Sequence, residues 1–388
     1  MKKFLLGVLI AVVTFVGIYF IGDYIDGKKA EEYYKQYKDK ISRINTTDSY
    51  DGKNVDESLY EVLEKGIKNR EKKIVIEYDC SSEIFDTYAK VLSDHPEFFW
   101  VTRGSKYSSS VKNKDITITF TPEYYMSEDD IEAAQKALNN IKGNILSGIN
   151  KTASDYEKVL YVHDYIVNNT VYDSSSAEEN DGSGKMLSDN VYESASVYGC
   201  LVNGKAICTG YAAAFQYLLN DLDIESGRVS GYTIGGSDVG HQWNYVKVSG
   251  EYYYIDTTWD DPVNEDSSQV LRHTYFLVTE KELEMTHIFS PSFEKLGCDS
   301  TTYNYYVYNG LYVDVYNYKT VTDIISRNFA DGEVEIKFSS AEDLNKAQKQ
   351  LIDNKGIWNI YAVKKHNLKT VYHSKSKNGL ILRISSGK

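Results

Sequence analysis

Cysteine is scarce here: Cys80, Cys200, Cys208 and Cys298 are the four thiols in 388 residues. So few over so long a chain exclude a disulfide framework. No Cys-x-x-Cys pair or Cys/His cluster occurs that would read as a zinc site, and no Asp-x-Asp-x-Asp-Gly calcium loop occurs either. Neither a metal nor an organic cofactor is implied. Positive charge is also short, with 43 Lys and Arg against 56 Asp and Glu, for a net charge of −13. Such a chain lacks the basic surface that releases counterions from a phosphate backbone, so no nucleic-acid partner is expected. Proline numbers 4 against 35 Tyr, and the tyrosines read as amphipathic surface rather than as a site.

Long apolar runs are absent but for one. Lys2 and Lys3 precede an unbroken apolar or small stretch from Phe4 to Ile21, ending before Asp23. Its 18 residues sit at the lower edge of a spanning helix and exceed most signal-peptide cores. No small-x-small cleavage site follows, so residues 1–27 read as an uncleaved signal anchor, with secretion after cleavage as the alternative. The bulk of the chain is then expected outside the cytoplasmic membrane, held to it through residues 4–21.

The remainder is globular in composition, 42% hydrophobic and 26% charged, and long enough for two or three domains. Residues 28–72 read as a stalk with a helix near Glu57–Ile67. A small α/β module is expected over 73–125, with a strand at Ile74–Tyr78 and a helix capped by Ser82 that runs to Leu92. A buried corner comes next at Phe98, Phe99 and Trp100, then a strand over Asp115–Phe120. Residues 316–388 repeat this order. There, Val334–Phe338 is strand-like, Ser340 caps a helix to Ile352, Trp358 comes after it, and strands lie at Thr370–His373 and Leu380–Ile384.

The segment between, 126–315, is the expected catalytic domain. Ser127–Asp130 and Ser154–Glu157 look like helix starts, the second a capping box, with a helix through Val167. A polar loop is expected from Ser174 to Asn190, a helix from Cys208 to Asn220, and strands over Gly227–Tyr232, Gln242–Val248 and Tyr252–Ile255.

Cys208 stands in Gly204-Lys-Ala-Ile-Cys-Thr-Gly-Tyr211, where a glycine turn leads into a strong helix former. At a helix N-terminus, free N–H groups and the helix dipole favour a thiolate. His241 opens a strand, and Ser249-Gly250 is a two-residue turn into the return strand that ends at Asp256. That loop pairs Val248 with Glu251, which makes Asp256 the diagonal neighbour of His241 on one face. An odd-length loop would part them. A carboxylate-held imidazole is what a thiol nucleophile needs, since the acid fixes the tautomer and the free ring nitrogen takes the proton.

The strings Gly-Lys-Ala-Ile-Cys-Thr-Gly-Tyr-Ala, Gly-His-Gln-Trp-Asn-Tyr-Val and Tyr-Tyr-Ile-Asp-Thr-Thr-Trp-Asp-Asp-Pro resemble the three signature blocks of the transglutaminase-like superfamily. Helix Tyr156–Val167 and the block from Tyr275 to His287 resemble bacterial members, and the resemblance covers about residues 150–315. It implies an α+β, papain-like core, in which a helix carrying the Cys packs on an antiparallel sheet carrying the His and Asp, here flanked by the small α/β modules. It also implies Cys208 as nucleophile, His241 as general base and Asp256 as its partner. Gln242 departs from the Ala common between His and Trp, which bears on the pocket mouth.

The expected chemistry is acyl transfer through a thioester, on a protein Gln carboxamide or a peptide carbonyl. A Lys amine as second nucleophile makes a transglutaminase; water makes a peptidase or deamidase. A cell-wall or surface protein is a candidate partner. The alternative is a catalytically silent surface binding module that keeps the fold. Asn203 is the candidate second oxyanion donor beside the Cys208 N–H. Trp243 and Trp259 are pocket-adjacent, with strand alternation read as turning them from their neighbours' face into the core. Cys200 is a candidate redox partner or a buried thiol. His163 and His287 are read as structural, on helices.

Overall fold

The computed structural model describes residues 57–112, 115–180, 187–234, 240–262 and 270–386. The apolar run 4–21 and the stalk up to residue 56 lie outside them. Among the described residues no helix is long and apolar enough to cross a membrane. The chain divides into two compact units, Thr47–Tyr305 and one that contains Tyr306–Lys388.

In the first unit, helix α1 (Glu57–Lys68) buries Leu59, Leu63 and Ile67 along one stripe. Strand β1 (Ile74–Ile76), helix α2 (Ile84–Asp94) and strands β2 (Val101–Lys112) and β3 (Asp115–Tyr124) come next, in an antiparallel sheet of order β1-β3-β2. Ser82 does not cap α2; Glu83 takes that position without a side-chain cap. This segment shares its apolar core with the helices that lie after it in the chain, since Trp100 and Phe120 belong to the same buried cluster as Leu138 and Phe215.

Helix α3 (Glu128–Ser147) starts on the Ser127 hydroxyl, which accepts the Asp130 N–H. Helix α4 (Asp155–Asn169) starts on the full reciprocal Ser154/Glu157 capping box. The expected polar loop is in part helical: after β4 (Val171–Tyr172) come α5 (Ser174–Glu179) and α6 (Asp189–Ser194). The cause is Asp173, whose carboxylate accepts the Ser176 N–H and the Ser175, Ser176 and Ser194 hydroxyls. Helix α7 (Val197–Leu201) and strand β5 (Lys205–Ala206) lead into α8 (Cys208–Asn220), almost wholly buried.

Helix α8 packs on β6 (Ser226–Thr233) and β7 (His241–Val248) of an antiparallel sheet of order β8-β7-β6-β9, where β8 is Glu251–Ile255 and β9 is His287–Phe289. The short helix α9 (Glu280–Leu283) precedes β9. This α+β arrangement, with a central buried helix against an antiparallel sheet, is the papain-like core. The β7–β8 register is Val248↔Glu251 and Asn244↔Ile255, as a two-residue loop requires. Ser249 and Gly250 both adopt positive φ, 51° and 90°, matching the twist of the flanking strands.

Gly231 lies in β6 opposite His241 on one side and Phe289 on the other. A Cβ there would stand 2.1 Å from the Ile288 carbonyl oxygen and 2.6 Å from the Trp243 ring. Gly231→Ala is therefore expected to force β9 away from β6 and to cost about 1–3 kcal/mol. Calorimetry would show this as a Tm lower by roughly 2–12 °C, and an unchanged Tm would contradict the packing.

The second unit holds β10 (Tyr312–Val313), α10 (Tyr318–Asn328), β11 (Glu333–Phe338), α11 (Ala341–Gln348), β12 (Tyr372–Lys375) and β13 (Ile381–Ser385). Ser340 caps α11 by accepting the Asp343 N–H. Its sheet runs β10-β11-β13-β12, and β10 is parallel to β11. The strand–helix–Trp–strand–strand order of residues 74–124 recurs here, with the same pairing: first strand to third, third to second, all antiparallel.

Candidate active site

Cys208 is the first residue of α8, after Ile207 in extended conformation. Gly204, at φ 64°, makes the turn into β5, and the parallel pairing of β5 with β4 pins the approach. Ile207 donates its N–H to the Ser194 carbonyl. Two residues into the helix, a Cβ at Gly210 would stand 2.5 Å from that same oxygen, so only glycine lets the helix start pack here. Asn244 of β7 fixes helix to sheet: its amide donates to the carbonyls of Ala212 (3.0 Å) and Gly227 (3.2 Å).

His241 opens β7, and its Nε2 lies 2.7 Å from Asp256 Oδ2. With Nε2 so held, Nδ1 remains for the thiol, which His241 draws below its ordinary value. Asp256, just past β8, is fully buried and takes four donors. Oδ1 accepts the N–H groups of Thr258 (3.0 Å) and Trp259 (3.1 Å), while Oδ2 takes His241 and, at 3.0 Å, Nε2 of His287.

The charges result from these contacts. Burial pushes the Asp256 carboxyl up, but His241 and His287 more than offset it and hold it far below the usual range. Burial pushes the His241 imidazole down, and the Asp256 charge beside it drives it well above its ordinary value. Burial pushes the Cys208 thiol up, yet the hydrogen bond and charge of His241 and the N–H of Gln242 bring it below its ordinary value. Both shifts move the pair toward thiolate and imidazolium.

The structure brings Cys208, His241 and Asp256 together. Asn203 is not brought to them: it is exposed, and its amide nitrogen donates to the Glu193 carboxylate. A turn residue that close in sequence to the thiol is spent on its own loop. Trp243 lies two residues past His241 in the strand and so shares its face, contrary to the expectation of opposite faces. It is nevertheless packed in the core, edge-on against Phe289 and His287. Trp259 is half-buried, its ring 5.9 Å from that of His241. Tyr172, opposite Ala206 in the β4–β5 pair, is half-buried, and burial together with Cys208 raises its phenol. Cys200 is a buried free thiol against Thr170 Oγ1 at 3.3 Å, and burial pushes it up to about 12.

His287 is the residue misread from sequence. It lies in strand β9 rather than a helix, and touches the central carboxylate. Three residues are too few for strand periodicity to declare itself, and the Thr-His pair alone carried no geometric signal. His163 does sit on a helix, buried, with Nδ1 2.8 Å from Asp164 Oδ1 and Nε2 3.3 Å from Asp260 Oδ2. His273 reaches the same Asp164 oxygen at 2.8 Å. Two groups, His163/Asp164/His273 and His241/Asp256/His287, thus gather metal-capable atoms within 4.8 Å. In each, the imidazole nitrogens meet the carboxylate directly at hydrogen-bond distance.

Beneath α8, Asp261 accepts the Tyr211 hydroxyl at 2.6 Å, and burial pushes its carboxyl from 3.8 to about 6. A carboxyl raised on folding makes the fold less stable as pH climbs from the unfolded value through the folded one. Asp261→Asn is expected to erase that slope between about pH 4 and 6 and to stabilise the protein at pH 8 by about 1–3 kcal/mol. Denaturant titrations at pH 4 and pH 8 would read it, and equal differences at both would refute it.

Residues 139–257 match the family model described as the transglutaminase-like superfamily. Those residues therefore form a transglutaminase-like domain within the chain. It is 25% identical over 140 residues to the mouse kyphoscoliosis peptidase, covering 34% of this chain and 20% of that protein. To the human kyphoscoliosis peptidase it is 24% identical over 162 residues, covering 38% and 23%. The chain thus spans about a fifth of the length of these relatives. Among solved structures, the crystal structure of a TGase is similar at 18% identity and a TM-score of 0.30, covering 50% of this chain and 52% of that one.

Proposed function

We propose that this chain is a cysteine acyl-transfer enzyme, anchored at the cytoplasmic membrane through residues 4–21 and acting outside it on protein or peptide substrates. The observation that carries the chemistry is a thiol at a helix start that His241 draws below its ordinary value, with His241 itself held on a buried, four-donor Asp256. The apolar run behind Lys2 and Lys3 supports the location.

In this reading the Cys208 thiolate attacks the carbonyl carbon of a Gln carboxamide or a peptide bond. The carbonyl oxygen takes the electron pair, and the N–H at the start of α8 faces the developing charge. As the tetrahedral intermediate collapses, the C–N bond breaks and His241 gives its Nδ1 proton to the departing ammonia or amine. A thioester remains, and His241 is neutral. It then takes a proton from the incoming nucleophile, which attacks the thioester carbon and releases the thiolate. Asp256 keeps the ring in one tautomer throughout. Water as nucleophile gives hydrolysis or deamidation; a Lys amine gives an isopeptide bond.

The test offers the full chain in detergent a Gln-containing protein substrate with and without a fluorescent primary amine, with Cys208→Ala alongside. Amine incorporation that needs Cys208 identifies a transglutaminase; new peptide termini or released ammonia alone identify a hydrolase. No covalent change in any substrate, with an acyl-chloromethyl ketone also failing to label Cys208, would leave a silent binding module.

A further inference from the structure

We propose that His287 is a positioning residue of this centre, holding Asp256 Oδ2 in line with His241 from the opposite edge of the sheet. This deepens the acyl-transfer reading and rests on it. The register places the residues. Strand β6 lies between β7 and β9, and Gly231 faces His241 on one side and Phe289 on the other. His287, two residues before Phe289, therefore projects to the same face as His241. Asp256 continues β8 on that face too, diagonal to His241. The missing side chain at Gly231 leaves room for the Trp243 ring and the Ile288 carbonyl, and the two imidazoles, their ring centroids 5.6 Å apart, meet one carboxylate oxygen.

His287 is itself held. Its Nδ1 lies 2.9 Å from Thr286 Oγ1, and its ring packs against Trp243, Trp259 and Tyr275. A hydroxyl proton turned to Nδ1 leaves the ring proton on Nε2, so a neutral imidazole satisfies both contacts. At 1% exposure His287 is shut off from solvent, so it acts through Asp256 and not on substrate. The titratable groups that face the pair are His241 and Cys208, together with the Tyr275 phenol on the loop before α9.

The electrostatic consequence has a definite sign. A donor on Asp256 Oδ2 binds most strongly when His241 is neutral and the carboxylate charge is uncompensated. It therefore favours neutral His241, and the ring gives up its proton more readily during turnover. Removing that donor must raise the pH at which His241 titrates.

His287→Asn and His287→Gln separate this role from packing. A Gln amide reaches the position of Nε2, whereas an Asn amide reaches only that of Nδ1. Histidine-labelled full chain is titrated by NMR, reading the His241 ring, and Cys208 alkylation is followed in parallel. In H287N the His241 titration is expected to move up by about half a pH unit or more, while alkylation at pH 7, which a more basic imidazole does not hinder, stays within about twofold of native. In H287Q both stay within about twofold of native. Identical His241 titration in all three proteins, or equal changes in H287N and H287Q, would overturn the proposal. Should H287N not fold, Thr286→Val carries the test by removing the contact at Nδ1. There too His241 must titrate higher, and an unmoved titration overturns the idea. An unreactive Cys208 in the native protein would instead remove the acyl-transfer reading, while the His241 titration still decides the place of His287.

Discussion

Replacing His241 with alanine is expected to slow iodoacetamide alkylation of Cys208 at pH 6–7 by about a hundredfold. Two opposed effects act on the thiol. Burial alone would push it above its ordinary value of 9.0, and His241 reverses the sign. Without the imidazole, burial and the Asp256 charge are opposed only by the Gln242 N–H, so the thiolate becomes a minor species at neutral pH. The rate cannot rise in full proportion to the thiolate, because a low-pKa thiolate is intrinsically less nucleophilic. A hundredfold rather than a thousandfold or more is therefore the expected scale. Stopped-time labelling with peptide mapping measures it. A His241→Ala protein that alkylates at the native rate would mean the two side chains are neighbours without coupling.

Asp256→Asn should be the more severe change for turnover, at about a thousandfold to ten-thousandfold. An amide turned with its NH2 toward His241 would present a donor to Nε2. The ring then keeps its proton on Nδ1, the nitrogen the thiol needs as acceptor. Asp256→Ala should add a stability loss of about 3–5 kcal/mol, since removing one partner of a buried ion pair leaves the other uncompensated. Here four donors lose their acceptor together: His241, His287, and the N–H groups of Thr258 and Trp259. A D256N protein with native turnover would show that the carboxylate does not set the tautomer. A native Tm for D256A would show that the four contacts contribute little.

The His241–Asp256 contact is legible in the sequence because it rests on counting. A two-residue turn at Ser249-Gly250 fixes the register, and the register fixes which side chains share a face. The capping box at Ser154 and the cap at Ser340 are legible for a similar reason, being local patterns of residue type. The features that escape such reading depend on contacts between distant segments. Strand β2 is Ser- and Lys-rich and exposed over most of its length, so no apolar alternation announces it; pairing with β3 makes it a strand. The helices at 174–179 and 189–194 arise where Asp173 gathers hydroxyls from both segments. His287 comes to Asp256 only because β9 returns beside β6, a connection across a separation of 31 residues that nothing local encodes. Asn203 failed as a donor for the opposite reason, having a nearby carboxylate in Glu193 to bind.

The repeat sits between these cases. The order of strand, helix, Trp and two strands is visible in the sequence. The first-to-third, third-to-second pairing that both copies adopt is visible only in the folded sheets.

The pH dependence of Cys208 alkylation shows most directly whether His241 lowers that thiol. In the full chain, labelled with iodoacetamide from pH 4 to 9, the rate at Cys208 is expected to level off at a pH below that at which an ordinary thiol levels off, and below that of the same thiol in His241→Ala. A rate that instead climbs about tenfold with each pH unit until about pH 8.5, as for an ordinary thiol, and is unmoved in His241→Ala, would contradict a thiol lowered by His241.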